Sequence, residues 1–364
     1  MDHRIPFLDL RVGDDERKRL LEAIDRVLQH GRLVMGPEVE RFEAQVAKRC
    51  GRKFAVGVGS GTDALFLALK AMGIGPGDEV ITTSLSWIAT ANAIALCGAS
   101  PVFADIGEDL NIDPQSVRSL VGKKTKAIVP VHYTGRCCQM QALEDIADAH
   151  GLAIVEDAAQ AFGAMHDGRP AGSFGVAGCF SMNPMKVFAA CGEAGAVVTD
   201  RQDIHERLLA CRYNGTVNRE TCIAVSLNGR IDTLQAAVLL ERLKTVDEVI
   251  ARRRQNAAFY NRNLYGVTGL PAVGPGDDHV YYTYTLQAQR RDELMGYLAS
   301  EGIETRIQHP ILMPHQPAYQ KARRAPLPVA EAVIQKILCI PVNEKITTGQ
   351  MEIVCDRIRR FFGR

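Results

Sequence analysis

The chain has 364 residues, 46% of them hydrophobic and 23% charged, with a formal net charge of +1. That length exceeds what a single core comfortably fills, so two domains are expected. The near-neutral charge gives no general pull toward nucleic acid or an anionic membrane, and no apolar run is long enough to span a bilayer.

The N-terminal "MDHRIPFLDL" has no charged region followed by a long apolar stretch, so no signal peptide is expected and the cytoplasm is the expected location. Seven apolar runs then read as strands: "KFAVGVGS" (53–60), "DEVITTS" (78–84), "SPVFADI" (100–106), "AIVPVHY" (127–133), "AIVEDAA" (153–159), "GCFSM" (178–182) and "GAVVTD" (195–200). Most are short, continuous and flanked by Gly, Pro or Asp, as expected of strands covered on both faces. Between them "TDALFLALKAM", "IATANAIALC" and "QALEDIADAHG" carry apolar residues at helical spacing. The alternation predicts an α/β layer fold with a mostly parallel sheet. After about residue 200 the regularity fades. "IDTLQAAVLLERLKTVDEVIARRRQNAAFYNRNL" reads as a long helix leading into a smaller α+β domain, with "YYTYTLQAQ" as strand and "RDELMGYLASEG" and "TTGQMEIVCDRIRRFFG" as helices. The expected division is 1–245, including an N-terminal arm, and 246–364.

The ten cysteines form no C-x-x-C pair; Cys137 and Cys138 are adjacent and the rest scattered. Reduced, mostly buried thiols are expected, and no metal or iron–sulfur site.

Ligands of α/β sheets bind beyond the carboxyl ends of the strands, which directs attention to the residues just past the end of each run. "GSGTDAL" (59–65) leads into a helix whose free amides and dipole favour a phosphate, although Thr62 or Ser60 could simply cap that helix. "SLSWIAT" carries the only tryptophan, Trp87, which could stack on a flat ligand or pack in the core. Asp157 ends the fifth run and could hold a positive charge on a ligand or cap a helix. Lys186 stands in "CFSMNPMKVFAACGEAG" (179–195), among apolar and small residues. A lysine amine is nucleophilic only when partly deprotonated, which apolar surroundings promote; the ordinary alternative is a side chain that snorkels to water. Together, a phosphate cradle, an aromatic, a strand-end acid and a lysine suit pyridoxal 5′-phosphate, which has a phosphate, a flat ring, a pyridine nitrogen and an aldehyde.

These motifs resemble the DegT/DnrJ family of sugar aminotransferases, within fold type I of the pyridoxal-phosphate enzymes. The resemblance runs over almost the whole chain, through "IPFLDL", "GPEVERFE", "GVGSGTDAL", "TSLSWIATANAI", "PVFADI", "VPVHYTG", "VEDAAQAFGA", "CFSMNPMK", "GEAGAVVTD", "LNGRIDTLQAAVL", "RDELMGYLASEGIETR" and "LPVAEAVIQKILCIPV". It implies a large domain with a mostly parallel seven-stranded sheet between helices, and a small C-terminal domain. It implies that Lys186 forms the Schiff base with the cofactor and that Asp157 pairs with the pyridine nitrogen. By the same resemblance Gln160 would lie near the phenolic oxygen and Trp87 would stack on the ring. Gly61, Thr62 and Ser181 would cradle the phosphate, and Asn228 would reach the phosphate of a neighbouring subunit, which implies a homodimer with shared sites. A lysine at 186, where some relatives carry histidine and act as dehydratases, favours transamination.

The implied reaction moves an amino group, with glutamate as the expected donor, onto a keto-sugar, most often nucleotide-linked, for surface polysaccharide, lipopolysaccharide or natural-product amino sugars. A dehydratase on the same scaffold and a non-catalytic pyridoxal-phosphate-binding regulator are the alternatives. The sequence departs from the family at Met182 and Asn183, where aromatics are frequent, and at Gln308 and His309, where many members have His-Tyr. The latter pair and Arg306 lie in the segment expected to contact the sugar.

Overall fold

A computed structural model of the chain describes residues 5–274 and 276–364; the first four residues of "MDHRIPFLDL" lie outside that range. The seven apolar runs form β1 (Phe54–Val58), β2 (Glu79–Thr83), β3 (Ser100–Ala104), β4 (Thr125–Val129), β5 (Ala153–Asp157), β6 (Ala177–Ser181) and β7 (Gly195–Thr199). They make one seven-stranded sheet in the order β1-β7-β6-β5-β4-β2-β3. β7 is antiparallel to both its neighbours, and the other pairings are parallel. The mostly parallel sheet expected from the alternation is the one found.

Both faces of the sheet are covered, which is why its strands lack a polar face. Successive residues of one strand serve opposite cores. Ala55, Phe180, Ala196 and Val198 pack with Val39, Phe42 and Val46. Their neighbours Val56, Val58, Cys179 and Val197 pack with Ala64, Leu65 and Ala68. The covering helices include α2 (Pro37–Arg49), α3 (Gly61–Ala71) and α4 (Ala89–Leu96), whereas α1 (Asp14–His30) packs through Ala23 and Val27 on Ala237 of the helix Thr233–Leu243. The apolar pattern does not single out α1. It buries only Leu20, Ala23 and Val27, while Leu21 and Leu28 stay exposed, so its apolar stripe is narrow.

The long helix expected from "IDTLQAAVLL…" is two helices, Thr233–Leu243 and Val246–Leu264, broken at Lys244 and Thr245. The Thr245 hydroxyl donates to the Arg242 carbonyl (3.4 Å), a local alternative to the helical ladder. The second helix starts in one core and ends in another. Val246 and Ile250 pack with the large sheet, whereas Ala257, Tyr260 and Leu264 belong to a second core.

That second core surrounds β8 (Tyr284–Gln287) and β9 (Ile337–Ile340), which are antiparallel, with helices Arg291–Ser300 and Thr348–Phe361. Thr347 and Gln350 form a reciprocal capping box at the last helix. Ile5, from the N-terminal arm, sits in this second core. Between β8 and β9 the chain makes an excursion back to the large sheet. Leu312, Leu327 and Ala330 pack with Leu85, Ile106 and Tyr133. The first part of this excursion, residues 306–313, is pinned by Arg306 N to Cys339 O (3.0 Å) on the second sheet and by Met313 N to Ser84 O (2.9 Å) on the first.

All ten cysteines are free, Cys191 and Cys222 being exposed. Among the described residues no cluster of His, Cys, Asp or Glu could hold a metal, and no helix is long and apolar enough to cross a membrane.

Candidate active site

One cavity of about 530 Å³ opens over the carboxyl edge of the large sheet. Gly61, Thr62, Trp87, Asp157, Gln160, Ser181, Lys186, Arg306, Gln308 and His309 all line it. Asn228, the remaining predicted residue, does not line it from its own chain. It lies exposed, its Oδ1 accepting from Arg230 Nε (2.7 Å).

The floor is built from strand ends. Ser60 is the N-cap of α3, its hydroxyl accepting from Asp63 N (3.0 Å); Thr62 is therefore not needed as a cap. The first intrahelical bond is Ala64 N to Ser60 O (3.0 Å), so the Gly61 and Thr62 amides have no intrahelical acceptor. A Cβ at Gly61 would come within 2.5 Å of Ser181 Cβ, so only glycine lets the two strand ends close up. Ser181 ends β6 beside this helix start.

Asp157 is buried at the end of β5 and followed by turns rather than a helix, so the capping alternative does not arise. Thr90 Oγ1 donates to its Oδ2 (2.7 Å) and Ala159 N to its Oδ1 (3.2 Å). Burial raises the pKa of this carboxyl, opposed by the Thr90 and Ala159 hydrogen bonds and by the charge of Lys186. Gln160 is also buried. Its Oε1 accepts from Thr134 N (2.9 Å), which turns its amide nitrogen away from that loop. Thr134 holds φ 61 to make this contact.

Lys186 sits in the turn after β6, partly buried, with Nζ 4.5 Å from the centre of the Tyr282 ring. It also lines a second cavity of about 260 Å³ on its other side, so it stands in a wall between two spaces. Among the described residues it makes no ion pair. Trp87 is 62% exposed, which removes the core-packing alternative. Met182 is buried, and Asn183 donates to Glu193.

The rim comes from the excursion between β8 and β9. His309 is buried, with Nδ1 3.0 Å from the Tyr133 hydroxyl and its ring centre 6.0 Å from that of Trp87. Burial and the Lys186 charge push its pKa down to about 3, so it is neutral. Tyr133 is fully buried and its hydroxyl pKa is raised by desolvation, so the hydroxyl keeps its proton. Gln308 Nε2 donates to Tyr282 Oη (3.3 Å). Arg306 is half-exposed, paired with Glu304 (3.0 Å) and lying 5.0 Å over the Phe7 ring.

Sequence reasoning misses Thr90, Tyr133 and Tyr282. Thr90 lies one helical turn after Trp87, and nothing in "SWIAT" distinguishes it from an ordinary helix residue. Tyr282 reads only as part of a strand.

These groups fit pyridoxal phosphate. The unpaired helix-start amides beside Ser181 suit its phosphate, the fixed Asp157 carboxylate suits a protonated ring nitrogen, and Gln160 offers an amide to a phenolic oxygen. Lys186 offers an amine to the aldehyde.

The profile of the DegT/DnrJ/EryC1/StrS aminotransferase family matches residues 14–359. The dTDP-3-amino-3,4,6-trideoxy-alpha-D-glucose transaminase of Streptomyces venezuelae is 41% identical, over 99% of this chain and 97% of that protein. The UDP-2-acetamido-2-deoxy-3-oxo-D-glucuronate aminotransferase of Pseudomonas aeruginosa is 36% identical, over 96% of this chain and 98% of that one. A crystal structure of S. venezuelae DesV in complex with a ketimine intermediate is 41% identical and superposes with a TM-score of 0.96, covering 100% of this chain and 99% of that chain.

Proposed function

The chain belongs to the DegT/DnrJ/EryC1/StrS aminotransferase family, and from that premise we infer the substrates and the role of each residue in the cavity. It is a pyridoxal-phosphate-dependent sugar aminotransferase. We propose glutamate as amino donor and a keto-sugar linked to a nucleoside diphosphate as acceptor. The acceptor reading is supported by the dTDP- and UDP-sugar names of two relatives. The observation that carries the reading is the lysine–aspartate pair on one cavity floor, Lys186 beside Tyr282 and Asp157 at the end of β5.

When bound, the cofactor supplies a carbonyl carbon that takes up and returns the amino group, and a ring that draws electrons from the substrate carbon. The chain supplies the rest. Asp157 would hold the proton on the ring nitrogen. Gly61, Thr62 and Ser181 would bind the phosphate, Trp87 would stack on the ring, and Gln160 would donate to the ring oxygen. Lys186 Nζ would take the proton from the substrate carbon in the donor half-reaction and return one to the sugar carbon in the acceptor half-reaction. His309 and Gln308 orient the sugar, and Arg306 meets an anion on it. The division of labour follows two units meeting near residue 245, with the cofactor on residues 1–245 and the sugar rim contributed by 246–364.

We also propose a cytoplasmic homodimer. Asn228, exposed and outside its own cavity, is positioned to complete the phosphate site of a partner. Mixing Lys186→Ala with Asn228→Ala subunits would restore partial activity, and no recovery after confirmed subunit exchange would retire this role.

The function is tested by converting the cofactor to its aminated form with glutamate, removing glutamate, and offering a panel of dTDP- and UDP-linked keto-sugars. Mass spectrometry reads the amino-sugar. Loss of the visible band on adding glutamate, followed by a mass gain on at least one sugar, is expected. A water-loss product in place of the amine would make the enzyme a dehydratase.

A further inference from the structure

The turn "SLSWIAT" places four residues in the cavity wall, Ser86, Trp87, Ala89 and Thr90, and only Trp87 is expected there from sequence. Trp87 faces the cavity, and three residues on Thr90 turns its hydroxyl to the acid on the floor. The Thr90 amide donates to the Trp87 carbonyl (3.3 Å), so aromatic and hydroxyl belong to one rigid turn at the start of α4. Thr90 and Asp157 are both buried.

The hydroxyl has one proton and three oxygens near it. Asp157 Oδ2 lies at 2.7 Å, the Trp87 carbonyl at 3.3 Å and Ser86 Oγ at 3.5 Å. The carboxylate is the nearest acceptor and the charged one, so the hydroxyl donates its hydrogen bond to it. A helical threonine divides between two χ1 rotamers, and the short contact to the carboxylate favours the one observed. With Ala159 N on the other carboxylate oxygen, each oxygen has one fixed partner, and the plane of the carboxyl is set.

We propose that Thr90 is a positioning residue that orients Asp157 and holds it as a carboxylate toward the ring nitrogen of the cofactor. The inference rests on the reading of the cavity as a pyridoxal phosphate site. The low-dielectric floor works against an ionised acid, and no arginine or lysine bonds to Asp157 among the described residues. The Thr90 hydroxyl and the Ala159 amide are the hydrogen-bond donors that oppose that penalty before the cofactor arrives. Of the two, the hydroxyl can be removed by substitution without altering the backbone.

The test compares binding of two molecules to protein freed of cofactor: pyridoxal phosphate, and its analogue with carbon in place of the ring nitrogen. Both fill the same space and reach the same lysine and phosphate cradle, but only the first engages Asp157. The wild type should prefer pyridoxal phosphate. Thr90→Val, which keeps shape and loses the hydroxyl, should reduce that preference on the order of tenfold, while binding of the analogue changes little. Thr90→Ser keeps the hydroxyl and should hold the preference within about twofold of wild type. Equal preference in Thr90→Val and wild type, with or without a shared loss of both ligands, would reduce Thr90 to a packing residue and overturn the proposal. Should the valine variant fail to fold, a serine variant that binds well but has lost the preference would overturn it too. A wild type that binds neither molecule would instead overturn the reading of the cavity, a separate result.

Discussion

The floor and the rim of the cavity are built in opposite ways. The floor residues Asp157 and Ser181 end strands of one buried sheet, and Gly61 and Lys186 follow on the short connections beyond it, so sheet pairing sets where those connections start. The rim residues Arg306, Gln308 and His309 ride on the stretch between Arg306, bonded to β9, and Met313, bonded to Ser84. The floor is therefore one rigid body and the rim depends on two. A chemistry common to many substrates suits the first, and recognition of one substrate suits the second.

The largest test of this contrast is Lys186→Ala. It should abolish the borohydride-reducible visible band and lower transamination by about a thousandfold or more, with the thermal midpoint little changed. A band still reducible at this site would remove Lys186 from the floor chemistry. Next comes Asp157→Asn. Cofactor affinity should fall on the order of tenfold, the usual scale for a hydrogen bond to a charged group, and turnover should fall further. Near-wild-type turnover would mean that the ring nitrogen needs no anion.

Rim changes should be smaller and should separate the two half-reactions. Tyr133→Phe removes the hydroxyl that fixes the His309 ring. KM for the keto-sugar should rise roughly three- to tenfold, the scale of one neutral hydrogen bond, with the glutamate half-reaction unchanged. A matching loss in both half-reactions would place Tyr133 with the floor. Arg306→Ala should raise the same KM less, because the side chain is half-exposed and already paired with Glu304, with Arg306→Lys in between. Identical kinetics in all three proteins would leave Arg306 as a surface residue.

The same contrast explains how much of the site is legible in the sequence. Seven apolar runs announce a sheet and its ligand edge and point to Asp157 at the end of one run, whereas Lys186 is told from a snorkelling lysine only by its company with the other motifs. Trp87 can be assigned to core or ligand only once its exposure is known. Thr90 cannot be found, because its meaning lies in a 2.7 Å contact across 67 positions. The Tyr133–His309 pair spans 176 positions and is invisible for the same reason. The two helices around Thr245 read as one because no glycine or proline marks the break.

The reversed strand β7 has a consequence for which parts of the chain can change length. Ser181 and Gly195 face each other across the ladder, so the loop carrying Lys186 begins and ends at one point on the sheet edge. A parallel neighbour would have required a crossover to the far edge and back. The closed loop allows no such slack: a residue inserted between Ser181 and Lys186 would displace the amine directly, with no helix to absorb it. Crossover segments such as Met140–His150 end far from the cavity and can lengthen at their distant turns for a small entropic cost. Length variation among homologous chains should therefore avoid the segment from 181 to 195 and collect at the opposite edge of the sheet.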